Sequence, residues 1–172
     1  MARILRLKNR LIAKILGRFP SLCGPIIASY RPRESKEIPW TPVRKALREC
    51  KVAIVTTTGV HHKDDKPFDM GDPRGDATYR MIDAARPVSD LMITHDYYDH
   101  SDADRDINVV FPIERLREFE EKGIIGALAE RHYSFMGHIV GGLIDTLVNK
   151  TAPEVVEKVK AGGVDVVLLT PG

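Results

Sequence analysis

The sequence predicts an α/β domain: a largely parallel sheet flanked by helices, incomplete at its C-terminus and preceded by a basic amphipathic helix. Three observations carry this. Short apolar runs at Val52–Val55, Leu91–Thr94 and Val164–Thr170 are separated by stretches of helical periodicity, the order that builds β-α units. The first two runs end in dense clusters of Thr, His and Asp, as strands do when they deliver side chains to a binding edge. Charge is divided along the chain as well. Of 26 basic and 24 acidic residues, the first 33 positions take eight basic and no acidic ones, so the remainder is net −6.

A length of 172 residues fits one domain with an arm, divided here as 1–42 (helix and Pro-rich connector) and 43–172 (α/β domain). No apolar run reaches the roughly 18–20 residues of a membrane span. Cys23 and Cys50 are too few for a disulfide scaffold and suit a reducing cytoplasm, with Cys50 read as a small buried hydrophobe. An acidic body without aromatic-basic interleaving argues against nucleic acid.

Taken in order, Ile4, Leu5, Leu11, Ile12, Ile15 and Leu16 follow helical spacing, with Arg3, Arg6, Arg10 and Lys14 on another face. The expectation is a helix ending near Gly17 and Pro20, laid on the body with its basic face in water or on an acidic partner, rather than a membrane anchor. Five prolines in residues 20–42 mark an extended connector, and Trp40 is expected to pin it to the body. Pro42–Cys50 reads as a short helix capped by Thr41. Val52–Val55 is a buried strand ending in Thr56-Thr57-Thr58-Gly59-Val60-His61-His62. Residues 63–90 show turn chemistry and no period.

Leu91–Thr94 leads into Thr94–Asn108, where two histidines and five aspartates fall within twelve residues. Ile113–Lys122 reads as a helix with Ile113, Leu116 and Phe119 inward and Gly123 as its C-cap. The apolar stretch Ile124–Ala129 leads to Arg131–His138, a second polar and aromatic cluster. Ile139–Val148 and Pro153–Ala161 are helices, the second capped by Thr151 with a Glu154/Lys158 pair. Val164–Thr170 is a third buried strand, after which the chain stops where a turn would lead into the next helix.

The clusters support several chemistries on residue type. His95, Asp99 and His100 match most of the Thr-His-x-His-x-Asp-His pattern of metallo-β-lactamase-type hydrolases, with Tyr97 in place of one histidine, so a metal-dependent hydrolase is an alternative. A non-catalytic partner-binding module is another. Ser101 or Ser134 could serve a triad, but no Gly-x-Ser-x-Gly elbow accompanies either. No phosphate-binding Gly-rich loop is present.

Three segments in order, Val52–His61 (VAIVTTTGVH), Asp99–Arg117 (DHSDADRDINVVFPIERLR) and Ile125–Gly137 (IGALAERHYSFMG), resemble the glycine/sarcosine/betaine/D-proline reductase family, selenoprotein B type, over roughly residues 45–172. The resemblance implies an oxidoreductase that cleaves a carbon–nitrogen bond with a selenolate or thiolate, acting on a small amine or amino acid. It further implies a pyruvoyl-containing partner subunit, a thiol or selenoprotein electron donor and an oligomer. The reactive residue is expected just after Gly172, with the chain stopping at an in-frame UGA, so this stretch itself carries no cofactor. On that reading His95 or His132 is the acid to the departing amine, and Asp99 orients it. Thr57, Thr58, Gly59, His61 and Ser134 then line the substrate.

Overall fold

The computed structural model describes residues 2–29 and 40–171. Its centre is β1 (Lys51–Thr56). Successive side chains of a strand point to opposite faces, and both faces of β1 are covered. Val52 and Ile54 pack with Ile82, Phe111, Ile113 and Leu116, whereas Val55 packs with Tyr133, Phe135, Val155 and Val159. Burial on both sides is why this strand is apolar throughout instead of alternating. Each fully buried Ile or Phe contributes about 2–3 kcal/mol.

Strands β5 (Ala127–Leu128), β6 (Arg131–Phe135) and β7 (Val166–Thr170) all run parallel to β1. β3 (Tyr79–Asp83) pairs antiparallel with β6, from Tyr79↔Phe135 to Asp83↔Arg131. β5 and β6 follow the same edge of β1 with a bulge between them. Lys51 to Val55 is a step of four residues, and the matching Ala127 to Tyr133 is a step of six. The extra residues interrupt the ladder at Ile54, whose N–H is accepted by His132 Nδ1 at 2.9 Å instead of by a carbonyl. A separate antiparallel pair, β2 (Val60–His62) and β4 (Leu91–Ile93), stands beyond the end of β1.

α3 (Ile113–Glu121) buries Ile113 and Leu116 on the Ile54 face, and Gly123, at φ +66°, terminates it. α4 (Leu143–Thr146) continues through a π turn, Leu147–Thr151, into α5 (Ala152–Ala161), which buries Val155 on the other face. Helices on both faces of a mostly parallel sheet make the α/β class. At the N-terminus lie α1 (Ala2–Arg18), a 3-10 turn (Pro20–Cys23) and α2 (Gly24–Ser29). No helix among the described residues is long and apolar enough to cross a membrane.

Several expectations are corrected. Pro42–Cys50 forms only a 3-10 turn at Leu47–Glu49. Trp40 is 84% exposed and pins nothing, while residues 30–39 of the connector lie outside the described residues. β3 arises inside the stretch read as loop, because only Ile82 of Tyr79–Asp83 is buried and no apolar run marks it. β4 pairs antiparallel with β2 and does not join the main sheet. Phe119 lies at the exposed end of α3, and the helix expected from Ile139 begins at Leu143. Thr151 does not cap: its hydroxyl donates to the Ala77 carbonyl at 2.8 Å, tying α5 to the loop before β3. β7 is an edge strand among the described residues, with Leu169 72% exposed, not a buried one. Finally, α1 turns Arg6 toward the body and its apolar residues outward, the reverse of the arrangement expected.

Candidate functional site

The carboxyl ends of β1, β4 and β6 meet at Gly59. Its N–H donates to the Phe135 carbonyl at 3.0 Å, and its carbonyl accepts the Thr94 N–H at 2.9 Å. At φ +74° a Cβ here would stand 2.6 Å from the Thr94 carbonyl oxygen and 3.2 Å from His95 Cβ. Only glycine permits that approach. Thr58, just before it, bridges Met136 and shares a 2.7 Å hydroxyl hydrogen bond with Thr56. The Thr58 carbonyl accepts the Tyr98 hydroxyl at 3.1 Å. Burial pushes the Tyr98 phenol up, so it stays protonated.

His95 sits in this junction, 3% exposed. The Tyr97 N–H approaches its Nδ1 at 3.1 Å, and the Gly137 N–H approaches its Nε2 at 3.3 Å. Burial pushes its pKa down to about 4, with His100 and His138 adding to the shift, so the ring is neutral at pH 7. A neutral imidazole accepts at one nitrogen and donates at the other. With a backbone N–H aimed at each ring nitrogen, from Tyr97 on one side and Gly137 on the other, the ring is held in one orientation. Tyr98 meets the His95 ring edge-on at 4.8 Å, and Tyr97 stacks on His138 at 3.8 Å.

His61 lies behind this junction and is fully buried. Its Nδ1 donates to the His62 carbonyl at 2.6 Å, because a carbonyl only accepts, and Nε2 then takes the Thr94 hydroxyl at 2.8 Å. His61 therefore orients Thr94 and does not itself face a ligand. Thr57 is half-buried, and its N–H donates to the Thr170 carbonyl at 3.0 Å, which sets the end of β7 beside it. Thr170 Oγ1 is enclosed there with no hydrogen-bond partner among the described residues.

The structure thus brings together Thr57, Thr58, Gly59 and His95, with His61 in support. Three other sequence-derived residues do not join them. Asp99 is exposed, accepts from the Ser101 N–H at 3.2 Å and faces Gly17 of α1. His132 is enclosed within the sheet, its edge-on neighbour Phe111 5.7 Å away, and burial holds its pKa at about 4. Ser134 is also fully enclosed, its hydroxyl turned to the Phe135 carbonyl. Sequence reasoning missed Gly137 as a neighbour of His95, and also Asp96. The Asp96 side chain, 4% exposed, meets Arg6 Nε at 2.6 Å and Arg10 Nε at 4.0 Å. The eight basic residues without an acid in residues 1–33 were the only signal for that pairing.

The hydrolase alternative is not favoured. Among the described residues no group of three or more His, Cys, Asp or Glu is placed to hold a metal ion. His100 lies 2.9 Å from Asp104 and borders a cavity of about 690 Å³ that is lined by none of Thr57, Thr58, Gly59 and His95.

A family model for glycine/sarcosine/betaine reductase selenoprotein B matches residues 25–172. The chain is 43% identical over 133 residues to D-proline reductase subunit gamma of Acetoanaerobium sticklandii, covering 77% of this chain and 53% of that protein. It is 33% identical over 133 residues to betaine reductase complex component B subunit beta of Peptoclostridium acidaminophilum, covering 73% and 29%. To glycine reductase complex component B subunit gamma of Carboxydothermus hydrogenoformans it is 30% identical over 167 residues, covering 96% and 36%. The chain therefore spans about half the length of the first and about a third of the others. No solved structure matches it.

Proposed function

The chain belongs to the glycine/sarcosine/betaine reductase selenoprotein B family, and from that premise we propose that its strand-end junction is part of the site where a component B-type subunit cleaves a carbon–nitrogen bond reductively. The substrate class is a small amine or amino acid. The observation that carries the reading is the meeting of the carboxyl ends of β1, β4 and β6 at Gly59, with the His95 ring held there between the Tyr97 and Gly137 N–H groups. In an open α/β sheet ligands bind beyond the carboxyl ends of the strands, which is where this junction lies. Tyr97 and His138 stack beside the junction, and Tyr98 braces its Thr58 turn.

The nucleophile is proposed to come from outside the described residues. Cys50 is enclosed beside the Leu47–Glu49 turn, its Sγ 3.4 Å from the Ala46 carbonyl, and Cys23 lies in the arm. The unpartnered Thr170 hydroxyl beside Thr57 fits a following turn that enters the site there. A selenolate or thiolate in such a turn, with a pyruvoyl group on a partner subunit and a thiol or selenoprotein donor, would supply nucleophile, amine activation and electrons. His95 positions the Tyr97 and Gly137 backbone at the substrate end of the sheet, Gly59 keeps the β1 turn against His95, and His61 fixes Thr94. We assign His132 to the sheet, as the acceptor for Ile54 N–H, and not to the chemistry.

The test is turnover in the assembled reductase. His95→Ala is expected to lower kcat/KM by about a hundredfold or more, whereas His132→Asn keeps an acceptor for Ile54 and stays within about threefold. Turnover unaltered by His95→Ala would sink this reading.

A further inference from the structure

The outward face of α1 holds a concentration of exposed apolar side chains. Ile4, Leu7, Leu11 and Ile15 are 76%, 70%, 58% and 43% exposed. At 3.6 residues per turn these positions form one stripe along the helix. The opposite side, centred on the buried Ala13, is the one that docks: Arg6 and Arg10 reach Asp96, and Gly17 lies against Asp99. The ion pairs thus hold the helix by its polar side, and no described residue covers the stripe.

Charge indicates what does. Lys8 and Lys14 border the stripe, Arg18 lies at its end, and all three are exposed. Phe19 and Leu22 extend the apolar surface past the helix. No acidic residue occurs in residues 1–33. A second copy would set two all-basic helices against each other, which repels. Low overall hydrophobicity, an apolar stripe and flanking Lys and Arg are the signature of a helix lying in a bilayer interface.

We propose that α1 docks on an anionic lipid surface. Ile4, Leu7, Leu11 and Ile15 enter the headgroup–acyl boundary, and Lys8, Lys14 and Arg18 meet the anionic headgroups. The polar side stays on Asp96 while the apolar side meets the lipid, so binding does not require α1 to leave the body.

The experiment is co-sedimentation of the full chain with vesicles of phosphatidylcholine alone or mixed with phosphatidylglycerol. Binding is expected to be about tenfold or more stronger to the anionic vesicles and to weaken with salt. Leu7→Glu with Leu11→Glu should abolish it while leaving the thermal transition unchanged, since both side chains are exposed. Lys8→Glu with Lys14→Glu should remove the preference for anionic lipid. A chain that stays in the supernatant with both vesicles, or binding untouched by the leucine changes, overturns the proposal. If the leucine changes instead dissociate a purified reductase complex that ignores vesicles, the stripe belongs to a protein interface.

Discussion

Thr94–Tyr98 and Asp99–Asn108 read as one polar cluster, yet they behave as two materials. In the first half His95 and Asp96 are enclosed, and Thr94, His95 and Asp96 are each bound to a distant part of the chain: His61, Gly59, Gly137, Arg6. In the second half the carboxylates serve their own turn. Asp99 accepts from Ser101 N–H, Asp102 pairs with Arg105, and Asp106 caps the 3-10 turn at Asn108. Polar density is thus no measure of chemistry. Desolvation is what shifts a pKa and makes an unmatched donor costly, and only the first half is desolvated.

The strongest way to break this contrast is Gly59→Ala. A methyl group at φ +74°, 2.6 Å from the Thr94 carbonyl, should cost about 3 kcal/mol or more and separate β1 from His95. Chemical denaturation reads it, and a loss under about 1 kcal/mol would mean that the junction is loose.

Acid sharpens the contrast next. His95 and His132 are held at about 4 in the folded chain, against 6.5 when unfolded. Between those values the unfolded chain binds protons that the folded chain refuses, so stability is full above pH 6.5 and falls as pH drops toward 4. The loss is on the order of 3 kcal/mol per histidine at most. Urea unfolding followed from pH 7 to 4.5 should show this slope, and His132→Asn should flatten about half of it. The capped carboxylates Asp99 and Asp106 are shifted downward, below their usual value, and so act only at more acid pH.

A smaller effect is expected from Arg6→Ala. It leaves the enclosed Asp96 carboxylate with Arg10 at 4.0 Å and should cost about 1 kcal/mol, since Arg6 is itself half-exposed. Faster proteolysis between α1 and residue 40 would accompany it. Asp102→Ala should be smallest, within about 0.5 kcal/mol, because the pair it breaks is almost fully exposed.

Much of the frame was legible in the sequence. The unbroken apolar run of β1 reports burial on both faces, and α3 shows its inward Ile113 and Leu116 and its Gly123 stop. β3 was not legible, since it has one partner strand and partly exposed outer residues. Neither was the antiparallel pairing of β2 with β4, because a three-residue strand carries no direction of its own. At the site, Thr57, Thr58, Gly59 and His95 stood out by type and by position after a strand. Asp99 and His132 stood out equally, and nothing local marked one as a solvated cap and the other as a substitute for a carbonyl in a bulge.

By itself the sequence determined the burial of β1 and α3, because burial on one or two faces leaves a periodic record in neighbouring residues. Only the tertiary structure decided which polar side chains meet. Arg6 finds Asp96, and Gly137 finds His95, across distances along the chain at which no local pattern can register the partner.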